Sequence, residues 1–383
     1  MSRRLGTSAT IIPAVGYGTM GIGGYFQRDD SDDVNAVATI RQAVELGLTV
    51  IDTAEGYGAG HGEEVVGQAI APLRQRVVLA SKFAPEHSGR QQIVAACDAS
   101  LRRLAVDRID LYQMHWPSAD VAFADTLAGL ADLVAAGKIG AIGLGNVTAG
   151  QLTRLLALAG ELPIVAVQQE YSVFEPFAEQ AVLPLCRHHG LTLIAYSPLG
   201  TGRLGKLAPA RLAALEDFCR QRNLTPAQAL LDWTVRHPQV CAIPMTRSPR
   251  HLADNARVHG ELLSAADHLA LAALLAPTVL EVDVAAIRVA GTLSGKAYTS
   301  LEQARANGHG LSPSPSQLAE TLKKDTLLKP VKVRADGKGG YELYEGQLRY
   351  WAWRIAHDDS LPIIAQVDNN GDGHASSQHM EVS

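Results

Sequence analysis

The chain has 383 residues, 47% hydrophobic and 19% charged, a balance that supports a packed core and excludes a disordered or fibrous protein. A net charge of −5 offers no general attraction for nucleic acid, and no nucleic-acid partner is expected. No apolar run approaches the roughly 18 residues needed to cross a bilayer, and "MSRRLGTSAT" leads into no signal core, so a cytoplasmic protein is expected.

Short runs rich in Val, Ile and Leu recur along the first 250 residues: "IIPAVGYG", "GLTVIDT", "RVVLASK", "RIDLYQMH", "IGAIGLGN", "PIVAVQQ", "LTLIAYS" and "VCAIPM". Between them lie stretches such as "DVNAVATIRQAVEL", "QQIVAACDASLRRL" and "ADTLAGLADLVAAG", whose apolar residues return at helical spacing. Eight alternating β and α units predict an α/β fold, a (β/α)8 barrel. The interval before the eighth run contains "APARLAALEDFCRQRN" ahead of "TPAQALLDWTVRH", which predicts one extra helix there. Cys97, Cys186, Cys219 and Cys241 are far apart and lack CxxC spacing, so they read as buried thiols rather than a disulfide framework or a zinc site.

Barrel enzymes carry their chemistry at the C-terminal ends of the strands. The second run ends at Asp52 with Tyr57 just beyond it, the third at Lys82, the fourth at His115, the fifth at Asn146 and the sixth at Gln169. Singly, these are a turn former, a loop residue, a surface charge and a structural histidine. Together they place a carboxylate, a phenol, an ammonium and an imidazole on one rim. Carbonyl reduction needs a hydride at carbon and a proton at oxygen, and a free Tyr, with a pKa near 10, is a reluctant acid. Lys82 is expected to lower that pKa, Asp52 to hold Lys82 charged, and His115 to fix the substrate oxygen.

Residues 4–280, with "GLTVIDTAEGYG", "SKF", "DLYQMHWP", "VQQEYS", "AYSPLGTGRL" and "IPMTRS" in order, resemble the aldo-keto reductase family. The resemblance assigns the catalytic tetrad to Asp52, Tyr57, Lys82 and His115. It implies NADPH or NADH extended across the barrel mouth, and no metal. "GYGTMG" at 16–21 matches GxGxxG but has no helix after it, so Gly18, Thr19 and Met20 are expected to let backbone approach the cofactor. By resemblance, Tyr196 stacks on the nicotinamide and Asn146 and Gln169 hold its carboxamide. The loop from Ser197, Pro198 and Leu199 through Gly202 to Lys206 covers the pyrophosphate. Arg247 and Ser248, with Arg250 nearby, would engage a 2′-phosphate, which points to NADP, and Asn255 would reach the adenine. Tyr25, Trp116 and the loops around Phe174 and Phe177 are expected to line a pocket for a small polar or sugar-like carbonyl or alcohol.

Residues 281–367 carry their own strand-like and helix-like segments and predict a second, α+β domain. The stretch "LLKPVKVRADGKGGYELYEGQLRYWAWRIA" resembles the amino-terminal domain of the chromosome-partitioning protein ParB and its sulfiredoxin-like relatives. That resemblance implies a phosphate-holding turn from Gly346 to Arg349, although Gln347 and Leu348 depart from the usual Glu and Arg, and Arg349 is expected to reach substrate. Residues 368–383 read as a disordered tail, in which "DNNGDG" opens like an EF-hand loop but has His379 where the twelfth ligand should be. Two other classes compete with a reductase: an NADPH-sensing regulatory protein, and a phosphotransfer enzyme centred on the ParB-like domain. The intact tetrad and the incomplete ParB pattern favour the reductase.

Overall fold

The computed structural model describes residues 2–289, 298–323, 325 and 329–368. Ser2–Arg4 (β1) and Ile11–Pro13 (β2) pair antiparallel as a hairpin outside the barrel sheet. The Arg3 guanidinium fastens this hairpin to the chain near the last barrel strand, donating to the carbonyls of His237 (2.8 Å), Val235 (2.5 Å) and His259 (3.2 Å). Leu5 and Ile12 pack among the inward-facing residues Val50, Ala80, Leu111, Val165 and Ile194. The expected first strand "IIPAVGYG" is therefore divided. Pro13, without an N–H, suits the end of the hairpin, and only Tyr17–Gly18 (β3) joins the barrel.

The barrel continues through Val50–Asp52 (β4), Val78–Phe83 (β5), Ile109–Met114 (β6), Ile139–Gly145 (β7), Ile164–Glu170 (β8), Thr192–Tyr196 (β9) and Val240–Ala242 (β10). All eight strands are parallel neighbours in chain order. The ring closes where Val15 bridges Ala242 and Gly18 N donates to Pro244 O at 3.2 Å. The predicted amphipathic segments form the helices Asp33–Glu45, His61–Ile70, Arg90–Leu104 and Phe123–Ala135, whose apolar faces join the main core. The extra helix is Pro209–Arg220, before Pro226–Thr234. All four cysteines are buried and free.

A second sheet follows, built from Thr278–Val282 (β11), Ile287–Val289 (β12), Val331–Ala335 (β13), Tyr341–Glu345 (β14) and Ile363–Asp368 (β15) in the order β11-β15-β13-β14-β12. The helices Pro315–Leu322 and Gln347–His357 belong to this unit, and Tyr350 and Trp351 enter a separate core with Val331, Val333, Leu343 and Ile363. The EF-hand-like stretch and the predicted tail lie, beyond Asp368, outside the described residues.

The C-terminal unit meets the barrel at loops that follow β6, β7 and β8. Gln317 donates to Asp120 at 2.7 Å, Asp325 accepts from Thr148 Oγ1 and from Gly150 N at 3.3 Å, and Lys332 pairs with Glu175 at 3.0 Å. Lys329 pairs with Glu170 at the very end of β8. These contacts bring the second unit to the barrel rim where (β/α)8-barrel enzymes place their sites.

Candidate active site

Asp52 ends β4 and Lys82 lies near the end of β5, so adjacent parallel strands deliver both side chains to one point. The Lys82 ammonium donates to Asp52 Oδ1 at 2.5 Å, to the Thr53 carbonyl at 2.9 Å and to Tyr57 Oη at 3.3 Å. The other carboxylate oxygen, Oδ2, accepts from Gln113 Nε2 and Gln168 Nε2, both at 2.9 Å. Asp52 and Lys82 are each 2% exposed, so the pair is satisfied by groups on β6 and β8 and in the segment after β4 rather than by water. Gln113 and Gln168 were not singled out in the sequence. Gln168 lies one residue before the singled-out Gln169 and Gln113 two before His115, and only the register of β6 and β8 shows that they point inward.

Tyr57 opens a tight turn over Tyr57–Gly60. Gly58 has φ +57°, and a Cβ there would meet the Gly23 carbonyl at 1.9 Å, so only glycine lets this turn lie against the 23–25 segment. Gly58 N also donates to the Tyr25 carbonyl at 2.9 Å, which places Tyr25 beside the turn. His115 follows β6 and meets Tyr57 edge to face with ring centroids 6.0 Å apart. The four tetrad residues thus converge.

Their electrostatics differ from the sequence expectation in one respect. Burial raises the Tyr57 pKa above its ordinary 10; Lys82 pulls it down and Asp52 pushes it up, and the net direction is upward. The phenol is a proton-bearing acid at neutral pH. Burial opposes the charge on Lys82 as well, but Asp52 and Tyr57 outweigh it and the ammonium is kept. Burial, aided by repulsion from Lys82, lowers His115 to about 3. His115 is therefore a neutral hydrogen-bonding group, not a cation.

The remaining predicted residues fall on the same rim with uneven commitments. Thr19 donates from Oγ1 to the Asp52 carbonyl at 3.0 Å, while a side chain on Gly18 would strike the Ile243 carbonyl at 2.7 Å. Barrel closure alone thus accounts for Gly18. Met20 and Trp116 are half-buried beside it and after His115 respectively. Asn146 Nδ2 donates to the His115 carbonyl at 3.0 Å, Tyr196 Oη donates to Asn146 Oδ1 at 2.8 Å, and Gln169 Nε2 donates to the Val147 carbonyl at 2.6 Å. Asn146, Ser197 and Thr201 have φ of 54°, 50° and 49°, strained values that concentrate at functional loops.

Pro198 is buried, Ser197 and Leu199 are half-buried, and a Cβ on Gly202 would meet nothing within 4 Å. Arg203, missed in the sequence, ties this loop to Glu175 at 2.5 Å; Lys206 ends its short turn. Phe174 is core, packed under Gly200, and not a pocket wall. Arg247 is spent locally, donating to the Gly21 carbonyl at 2.7 Å and pairing with Asp32 at 3.1 Å. Ser248 caps the helix Pro249–Ala256. On that helix Asn255 Oδ1 is buried without a hydrogen-bond partner, an acceptor suited to an amino group such as adenine carries. Arg349 lies in the second unit, with Nη2 3.4 Å from the Pro330 carbonyl and a buried, unpartnered Nε. Among the described residues no group of three acidic, His or Cys side chains could hold a metal ion.

Residues 14–276 match the model of the aldo/keto reductase family. The chain belongs to that family. It is 39% identical over 258 residues to methylglyoxal reductase YeaE of Escherichia coli (strain K12), covering 67% of this chain and 88% of the relative. It is also similar to a solved aldo/keto reductase from Klebsiella pneumoniae in complex with NADP and acetate, with 36% identity and a TM-score of 0.66 over 71% of this chain and 95% of that one. A thermostable aldo-keto reductase, Tm1743, solved with the inhibitor epalrestat, aligns at 34% identity and a TM-score of 0.67, covering 72% of this chain and 99% of that one. The family match stops at residue 276, two residues before β11. Among the described residues no helix is long and apolar enough to cross a membrane.

Proposed function

We propose that this protein is an NADP(H)-dependent oxidoreductase that interconverts a small polar carbonyl compound and its alcohol. The carrying observation is the Tyr57 hydroxyl held 3.3 Å from an ammonium that is itself locked onto Asp52. A bound nicotinamide supplies or accepts the hydride. In the reducing direction Tyr57 gives its proton to the carbonyl oxygen as the carbon is reduced, and Lys82 stabilises the phenolate left behind. Asp52 keeps Lys82 charged and in place. Neutral His115 donates to the same oxygen and fixes it against Tyr57.

The cofactor fits the residues present. The orphaned Asn255 acceptor suits the adenine, the open loop at Gly202 suits the pyrophosphate, and Arg247 and Ser248 suit a 2′-phosphate. NADP complexes among similar structures and the reductase relative support the same reading. Tyr25 and Trp116 are assigned to the substrate walls. Screening NADPH oxidation against aldehydes, ketoses and nucleotide-linked sugars tests the reading: turnover with one class, abolished in Tyr57→Phe, is expected, and its absence with NADPH bound would favour a sensing role.

For residues 278–368 we propose an accessory domain of ParB/sulfiredoxin-like kind. Its support is the strand β14 turning through Gly346, at φ 90°, into the helix Gln347–His357 with Arg349 on the first turn. Arg349→Ala is expected to harm turnover of a phosphorylated substrate more than that of a simple aldehyde; equal effects would remove Arg349 from substrate binding.

A further inference from the structure

One residue of the C-terminal unit reaches the chain of groups that orders the barrel's site. Lys329 Nζ pairs with Glu170 at the end of β8 and lies 3.4 Å from Tyr196 Oη. The ammonium is 5.7 Å from the ring centroid, so its nearer contact with Tyr196 is the hydroxyl. An ammonium has donors only. Tyr196 Oη must therefore accept from Lys329, and its single proton goes to Asn146 Oδ1 at 2.8 Å. The amide orientation of Asn146 follows, with Nδ2 donating to the carbonyl of His115 at 3.0 Å. The run from Lys329 through Tyr196 and Asn146 to His115 is fixed at both ends, since Lys329 can only donate and the His115 carbonyl can only accept, and Lys329 is the end that holds the Tyr196 hydroxyl.

We propose that Lys329 is a positioning residue of the oxidoreductase site, supplied by the C-terminal unit to fix Tyr196 and Asn146 where the nicotinamide binds. The proposal rests on the assignment of Tyr196 and Asn146 to the nicotinamide. It makes the second unit part of the active site and not an independent attachment, since residues outside the family match at 14–276 order residues within it. The local charges agree. Although burial opposes its charge, Tyr196 and Glu170 raise the Lys329 pKa; burial likewise opposes the charge on Glu170, but Lys329, Lys332 and Arg203 together outweigh it and hold Glu170 below its usual range. The pair stays ionised, and the donor role of Lys329 is permanent at neutral pH.

A neighbouring lysine provides the control. Lys332 also crosses between the units, but its partners are two carboxylates, Glu175 at 3.0 Å and Glu345 at 2.8 Å. If Lys329 only helps to dock the two units, Lys329→Met and Lys332→Met will act alike. If Lys329 orders Tyr196, full-length Lys329→Met should lower kcat about tenfold, and Lys332→Met should leave kcat within about twofold of wild type. Lys329→Arg should recover most of the loss. Tyr196→Phe, which removes only the hydroxyl, should match Lys329→Met, and the double variant should be no worse than either single one.

The emission of bound NADPH adds a readout independent of turnover: it should shift in Lys329→Met and Tyr196→Phe and be unchanged in Lys332→Met. Additive effects of Lys329→Met and Tyr196→Phe, or equal losses in the two lysine variants, would overturn the proposal. Should Lys329→Met not fold, Tyr196→Phe with Lys329→Arg decides: wild-type emission and kcat in Tyr196→Phe refute it. Tyr57→Phe run in parallel separates this from the wider reading, because undiminished turnover there sinks the reductase mechanism itself, whatever Lys329 does.

Discussion

Lys82 and Asp52 form a buried ion pair at 2.5 Å whose two members are unequally supported. The carboxylate keeps two further donors, Gln113 and Gln168. The ammonium also keeps two partners, the Thr53 carbonyl at 2.9 Å and the Tyr57 hydroxyl, but the latter is a longer contact at 3.3 Å. Leaving one buried charge without its partner costs about 3–5 kcal/mol, and the cost should be unequal here. Asp52→Leu is expected to sit at the upper end and Lys82→Met at the lower, because both bonds left to Asp52 are 2.9 Å whereas one of the two left to Lys82 is stretched to 3.3 Å. Urea unfolding of the two variants checks the order, and equal midpoints would show that the glutamines do not share the charge.

The same pair prepares Tyr57 for proton transfer. Tyr57→Phe removes the acid and leaves Lys82 and Asp52 paired, so turnover should fall at least about a hundredfold with little change in NADPH affinity. Steady-state kinetics with a screened substrate and a fluorescence titration of NADPH measure both. A fall in affinity as large as the fall in kcat would mean that Tyr57 holds the cofactor rather than the proton.

The barrel was readable because its strands are short apolar runs with polar residues at their C-terminal ends, a pattern carried within each βα unit. Asp52, Tyr57, Lys82 and His115 could be grouped because they fall at or just beyond the strand ends of three successive units. What escaped was set by register and by distant contacts. Gln113 and Gln168 are ordinary strand residues until pairing turns them toward Asp52. Glu170 and Lys329 are 159 residues apart, and no local spacing links them. The N-terminal hairpin was missed because "IIPAVGYG" has the composition of one strand, while Pro13 and the hold of Arg3 on distant carbonyls divide it. The direction of the Tyr57 shift was also hidden, since it depends on how far burial outweighs Lys82.

Cofactor preference should depend on Arg247, even though it is engaged with Gly21 and Asp32 in this structure. Its side chain is 47% exposed, and an exposed ion pair is worth at most about 1 kcal/mol. A charge-assisted bond to a 2′-phosphate is worth roughly 1.5–3 kcal/mol, so the exchange favours the phosphate. Arg247→Ala should weaken NADPH about tenfold or more and leave NADH nearly unchanged. Titration of both cofactors by Trp fluorescence decides it; equal losses would take Arg247 out of the phosphate site.

His115 gives the fold a specific acid sensitivity. Its pKa falls from 6.5 to about 3 on folding, first through burial and second through the Lys82 ammonium. Between those two values the unfolded chain binds a proton that the folded chain refuses, so stability rises with pH across the window and is lost as pH falls through it. Above pH 6.5 the group contributes no slope. His115→Gln removes the titrating ring while keeping a hydrogen-bonding side chain. The stability of wild type relative to His115→Gln should therefore be constant from pH 7 to 8 and decline steadily from pH 6.5 to 4.5, as urea unfolding at each pH would show. Carboxylates elsewhere titrate in both proteins and cancel in the difference. The same neutrality should leave turnover without an acid limb from His115 above about pH 4, and Tyr57, raised by burial, should keep its proton past pH 10 in the cofactor-free protein. A relative stability that is flat down to pH 4.5 would mean that His115 is protonated in the fold, and its assignment as a neutral donor to the substrate oxygen would fall with it.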